Sequence, residues 1–472
     1  MKFALPTLLL ALCFTAALCS LIPPMKRLKN LHDSLNPVNP SFNYPEQTQV
    51  NPSVLNIPYA AKFNTGYITI NNTSQSKIFY VLYPAGGVKD ASAGFDNSSP
   101  LILWLQGGPG CSDATGNYGE IGPFIIDRQG GSFKPVPRDF NWNDKYNLLF
   151  VDSPVGVGYS VSGNERLNNA MDAAKYLQVF LIRFFQIYSS LKRSDFYIFG
   201  ESYAGHYIPA LATVIVQNNT NNGIRLKGIG VGDGWTDAYI QLASFSDFSF
   251  ATSNLDDRSR DRIMVIQHEA RKAIKEGKYS EATELFGDIT DYIHMLNPGM
   301  SIYNFEVYGP EDEFYPDWLN TANVKKAYGV DPSVTFKDCV GQTYSDFYAD
   351  ISTSYLGNYS YLLTQNVIPD LKVILYSGQN DIIVNTVGSY NFIKAIDWSG
   401  NQGFYNSKKK LLKGTDGAVV GNYKNYKGLT FAVIYDAGHM VPTDQPSPSK
   451  VMLDKFIQNQ FTGSSSIEEI SV

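Results

Sequence analysis

The sequence predicts an α/β fold: a mainly parallel central sheet with helices on both faces. Three observations carry this. Short runs rich in β-branched and aromatic residues alternate with stretches of helical character. In one of the latter, Ala170, Ala173, Ala174, Leu177, Phe180, Leu181, Phe184 and Ile187 recur at the spacing of one helix face, which makes that stripe core. Finally, a serine stands where a strand turns directly into a helix.

The elements follow in order. Gly66–Ile70 and Lys77–Tyr83 read as paired strands with a polar turn between them. Leu101–Leu105, Asn147–Asp152, Asp195–Phe199, Leu226–Gly232, Leu371–Gly378 and Phe431–Tyr435 read as further strands. From about Asp237 to about Asn320 the strand signal stops, and Arg258–Lys278 is charged and helical. The expected organisation is 1–19 signal peptide, 20–60 arm or removable pro-segment, 61–236 first part of the core, 237–320 mostly helical lid insertion, 321–465 second part, and 466–472 tail. Residues 20–60 are rich in Pro and Asn without clear periodicity, so the sequence leaves arm and pro-segment both open.

Gly200-Glu201-Ser202-Tyr203-Ala204-Gly205 is the serine-bearing turn. It follows the strand ending at Phe199 and precedes the helix start His206–Ala212. A serine on such a turn, among small residues, is the nucleophile turn of α/β-hydrolases: it lifts the hydroxyl above the sheet edge, and strand and helix backbones approach closely there. That class orders its triad as Ser, acid, His. Of five histidines, His439 follows the apolar strand Phe431–Tyr435 and a Gly turn, which makes it the general base. His32 lies in a polar N-terminal segment, His268 and His294 in the charged helical region, and His206 is too close to Ser202 along the chain, so packing is its expected role. Asp381, just past the strand ending at Gly378, is the acid that would fix the imidazole tautomer. Gln106-Gly107-Gly108-Pro109-Gly110-Cys111 follows another strand. Backbone N–H groups in such a loop stabilise an oxyanion; the expected donors are those of Gly108 and Tyr203.

Six segments in this order resemble the serine carboxypeptidases: Trp104–Ser112, Glu120–Phe124, Asn147–Ser160, Gly200–Tyr207, Tyr376–Asp381 and Asp436–Pro442. The resemblance runs from about residue 60 to about 460, and Ala204 fits the family form of the turn. It implies an α/β-hydrolase fold and removal of single residues from peptide or protein C-termini at acidic pH. It also implies a grip on the substrate carboxylate by Gln106, Gly107, Glu120 and Glu201. Two carboxyls forced together resist joint ionisation, so one stays protonated and donates a hydrogen bond to that carboxylate. The chain departs from the family at three places: Gln106 stands for Asn, Asn385 for Pro and Gln379 for an acid. Gln106 keeps the donor but adds a methylene. The rival expectations are an esterase or acyltransferase using the same triad, which needs no carboxylate clamp, and a non-catalytic scaffold.

A net charge of −6 and the lack of a long basic run exclude a nucleic-acid partner; Lys408-Lys409-Lys410 reads as a solvated turn. Residues 1–19 have a charged start, an apolar core from Leu8 to Leu18 and a small-residue cleavage context, so they read as a secretory signal. No other stretch qualifies as a membrane span. A soluble protein of the secretory route is expected, secreted or in a lysosome- or vacuole-like compartment, as monomer or homodimer. Cys13 and Cys19 belong to the signal. Cys111 and Cys339 remain, most simply as a disulfide in an oxidising compartment. The family resemblance implies the same bridge, with two free thiols as the alternative. Asn71, Asn72, Asn97, Asn218 and Asn358 begin glycosylation sequons. No metal and no cofactor is implied.

Overall fold

The computed structural model describes residues 33–95, 97–218, 223–309 and 313–462. The signal segment, His32, Cys13, Cys19 and the tail 466–472 lie outside the described residues.

Thirteen strands are found among the described residues: β1 (Thr48–Val50), β2 (Phe63–Thr69), β3 (Lys77–Tyr83), β4 (Leu101–Leu105), β5 (Phe124–Gln129), β6 (Ser132–Pro137), β7 (Asn147–Val151), β8 (Phe196–Glu201), β9 (Leu226–Gly232), β10 (Lys372–Gly378), β11 (Lys410–Lys413), β12 (Val419–Tyr426) and β13 (Leu429–Ile434). Eleven form one sheet in the order β1-β2-β3-β7-β4-β8-β9-β10-β13-β12-β11. The six from β7 to β13 in that order run parallel. Their side chains are buried on both faces, as a parallel sheet requires.

β3 shows how one sequence run serves two cores. Ile78, Tyr80 and Leu82 point to one cluster and Phe79, Val81 and Tyr83 to the other, because successive strand side chains alternate in direction. The first cluster is covered by α1 (Ala170–Ile187) and α2 (Ala204–Gln217). α1 is the predicted stripe, and Asn169 caps it by accepting a hydrogen bond from the Asp172 N–H. Between β9 and β10 the chain is helical, with α3 (Asp257–Lys275) and α4 (Tyr279–Leu296) packed together; His268 and His294 sit on these two helices. The second cluster is closed by α5 (Pro446–Ile457) through Met452, Leu453 and Phe456.

Both sheet edges are antiparallel: the sequence predicts the β2–β3 pair, but neither β1 nor the edge formed by β12 and β11. β12 and β13 are joined by Lys427 and Gly428, both at positive φ (43° and 87°). That is a two-residue hairpin turn built without the usual Asn-Gly signal. Lys410 opens β11 instead of sitting in a solvated turn. Residues 33–60 are packed, not loose: β1 pairs with β2, and Val50, Leu55, Ile57 and Tyr59 are buried.

Candidate active site

Ser202 follows β8 immediately and has φ 60°, an uncommon conformation for a residue with a side chain. The turn is held from three sides. Its N–H donates to Gly232 O at 3.0 Å, and its carbonyl accepts from Gly205 N–H and Trp235 N–H, each at 2.9 Å. A Cβ on Gly205 would meet Trp235 O at 2.5 Å, so the last small position of the turn has to be glycine while its neighbour can be Ala204.

β10 and β13 are parallel neighbours, so the residues after them meet at one end of the sheet. His439 Nδ1 lies 2.7 Å from Asp381 Oδ2, and the Val384 N–H donates to Asp381 Oδ1 at 3.1 Å. The histidine turn is fixed by its own N–H, which donates to Tyr303 O at 2.6 Å, and by the Gly438 N–H, which donates to Asp444 Oδ2 at 2.7 Å. The Tyr303 ring packs on the imidazole with centroids 5.2 Å apart. His439 is 3% exposed, and its Nε2 has no hydrogen-bond partner. It lines the same cavity as Ser202. Asp233 joins Asp381 and His439 in a trio whose ligand-type atoms lie within 4.8 Å of one another. Within that trio Asp381 is already engaged by His439 Nδ1 at 2.7 Å.

The loop after β4 wraps under Ser202. A Cβ on Gly107 would come within 2.6 Å of Ser202 Cβ and 2.8 Å of Tyr203 N, so only glycine fits there. Gly108 has φ 109° and lines the cavity. Tyr203 precedes the first turn of α2, where backbone N–H groups lack intrahelical partners. Its phenol turns away to donate to Asp350. Asp113, which sequence reasoning missed, anchors the loop to the sheet: its buried carboxylate accepts from Gln106 N–H and Val151 N–H, both at 2.7 Å. Cys111 and Cys339 are disulfide-bonded across 228 residues. Replacing both with Ser should lower stability by about 5 kcal/mol in the chain-entropy account of so long a loop. Urea unfolding of the double variant measures it.

Glu120 and Glu201 are each 1% exposed and lie side by side. Burial first, and then the facing Glu201, hold Glu120 well above the usual carboxylate range. Burial pushes Glu201 up to about 8. Neither Glu120 oxygen has a donor in the surrounding protein, so the two glutamates can hydrogen-bond to each other only by carrying a proton of their own. Gln106 Nε2 donates to Glu201 Oε1 at 2.8 Å. The Trp104 indole N–H donates to Gln106 Oε1 at 2.8 Å, and since an indole only donates, this fixes which end of the amide faces the glutamate. The extra methylene of Gln106 therefore does not break the contact.

The cavity measures about 660 Å³ and is lined by Gln106, Gly108, Glu201, Ser202 and His439, with the disulfide on its wall. Behind these stand Gly107, Glu120 and Asp381. Met440, from the segment Asp436–Pro442, also lines it, as do Tyr303, Ile383 and Asp338, which nothing local in the sequence marks. A larger hollow of about 820 Å³, around Lys227, Lys372 and Phe456, lies at the starts of the strands. The 660 Å³ cavity is at their carboxyl ends, where α/β sheets place their sites. His206 is fully buried against Tyr355, a packing position. Of the sequon asparagines, Asn72 and Asn97 are exposed. Asn71, Asn218 and Asn358 spend the amide nitrogen on Glu165, Val214 O and Thr213. A glycan would leave each of these nitrogens one hydrogen with which to keep its bond.

A serine on a strained strand-to-helix turn, with a carboxylate-bound histidine at the same sheet end, defines an α/β-hydrolase. Residues 52–459 match the family described as serine carboxypeptidase. The chain belongs to the serine carboxypeptidase family and is a serine-type carboxypeptidase. It is 33% identical over 410 residues to the serine carboxypeptidase S10 family member 1 of Dictyostelium discoideum, covering 84% of this chain and 94% of that one. It is 31% identical over 412 residues to the probable serine carboxypeptidase CPVL of Homo sapiens, covering 84% and 83%. Its fold is like that of Kex1, a prohormone-processing carboxypeptidase from Saccharomyces cerevisiae, with a TM-score of 0.75 at 24% identity over 87% of this chain and 96% of that one. Among the described residues no helix is long and apolar enough to cross a membrane.

Proposed function

We propose that this protein removes single residues from peptide and protein C-termini at acidic pH through an acyl-enzyme on Ser202. Ser202 Oγ attacks the last peptide carbonyl while His439 Nε2 takes its proton and passes it to the departing amine. Asp381 holds the Nδ1–H tautomer and stabilises the imidazolium. The N–H groups of Gly108 and Tyr203 receive the oxyanion. Water then attacks the ester, with His439 as base again, and frees the shortened peptide.

The observation that carries this reading is the buried Glu120–Glu201 pair with Gln106, set at the cavity that Ser202 and His439 share. Such a pair, when protonated, is built to receive a free carboxylate, which an ester or an internal peptide bond does not offer. The segment 237–320 acts as a lid; Tyr303, which lies on His439, supports this. The disulfide suits an oxidising compartment, in line with a secretory route. The reading is tested by incubating the purified protein with a peptide and with its C-terminal amide at several pH values, with mass readout. The free acid should be shortened one residue at a time, and the amide at least about 100-fold more slowly, since the amide forfeits charge-assisted bonds. Equal rates would favour an esterase-like enzyme.

A further inference from the structure

Asp233 has no part in the triad, yet it is fully buried beside it. It follows β9 with φ 42°, a strained setting for a residue with a side chain. The Gly378 N–H, at the end of the strand that leads to Asp381, donates to both its oxygens, at 3.0 and 3.2 Å. One of its carboxyl oxygens lies within 4.8 Å of one on Asp381 and of a ring nitrogen of His439. Two carboxylates without a shared proton would only repel at that range. Asp381 already accepts two N–H groups, one on each oxygen, from Val384 and His439. Asp233 accepts one N–H between two oxygens, so the proton belongs to it.

We propose that Asp233 is a positioning residue, a neutral carboxylic acid that donates a hydrogen bond to Asp381 and locks that carboxylate onto His439. Burial and the neighbouring Asp381 raise its proton affinity well above the usual carboxylate range, in agreement. The other titratable groups facing it are Glu201, Tyr376 and His439. This rests on the assignment of Ser202, Asp381 and His439 made above. The donated bond fixes the plane of Asp381; without it the carboxylate can rotate, and His439 loses the tautomer it needs.

The test compares Asp233→Ala with Asp233→Asn, whose amide still donates to Asp381 and still accepts from Gly378. The Ala variant should lose about 10–100-fold in kcat with KM within about twofold, the scale of a charge-assisted bond that matters after binding. Fluorophosphonate labelling of Ser202 should slow in step. The Asn variant should recover kcat to within about fivefold of the wild type. The low-field proton resonance of His439 Nδ1–H should persist in wild type and Asn, and move upfield or vanish in Ala. An Asn variant as impaired as Ala, or an Ala variant with wild-type kcat, overturns the proposal. If Ala does not fold, wild type and Asn decide it: the wild-type resonance should shift on alkaline titration and the Asn resonance should not, and identical titrations overturn it. A wild-type protein with this resonance pattern that trims no peptide would sink the proposed function while supporting this inference.

Discussion

Replacing Ser202 with Ala should lower C-terminal trimming by about 10⁵–10⁶-fold in kcat, the loss typical of removing the nucleophile from a serine triad. KM should move little, because Gln106, Glu120 and Glu201, which form the proposed carboxylate grip, stay intact. Stability should also be spared. The turn is held by backbone hydrogen bonds to Gly232, Gly205 and Trp235, none of which involves the hydroxyl. Ala keeps the same strained φ, so the melting temperature should stay within a few degrees. His439→Ala should cost a similar amount, and the double variant little more than either, since nucleophile and base act as one unit. Residual trimming above about one part in a hundred of wild type in pure Ser202→Ala protein would remove Ser202 from the nucleophile role, as would strictly additive losses.

The residues that the sequence makes readable are those whose chemistry is tied to a local pattern. Ser202, Asp381 and His439 each follow an apolar run and a turn, and the parallel sheet brings such strand ends together without further instruction. Gly107 and Gly205 are readable for the same reason: backbone approach admits no Cβ. Asp233 escapes such a reading. It follows an apolar strand as Ser202 does, but Asp381 lies 148 residues further on, and a lone acid between two glycines looks like a turn. Asp113 is hidden likewise, since its donors, Gln106 and Val151, come from two strand ends. The antiparallel edge at β12 is hidden because Lys427-Gly428 makes its hairpin with a lysine at positive φ. Residues 33–60 lack periodicity because they pack piecemeal on the sheet edge, a few side chains at a time. The worry over Gln106 could be answered only in three dimensions, where the Trp104 indole sets the amide's direction.

The KM for a free-acid peptide should rise about 10–100-fold as pH is raised from about 6 to about 9, a span set by one or two charge-assisted hydrogen bonds. Burial pushes Glu201 up to about 8, and burial with the facing Glu201 holds Glu120 well above the usual carboxylate range. In the proposed grip, protonated Glu201 donates to the substrate carboxylate below that pH; above it, a buried carboxylate would face another negative charge. A peptide amide should show no such rise, and Glu120→Gln combined with Glu201→Gln should flatten the profile for the free acid. The same pair makes the fold weaker in alkali. Glu201 titrates near its ordinary 4.5 when unfolded and at about 8 when folded, so between these values the folded state holds the extra proton. Its contribution to stability is full below about 4.5, falls as pH rises, and is gone above about 8. Thermal melts across that window should show the decline, with a shallower slope in the double glutamine variant. A KM that is flat to pH 9 in the wild type, alongside normal trimming, would mean that something other than this proton holds the substrate's end.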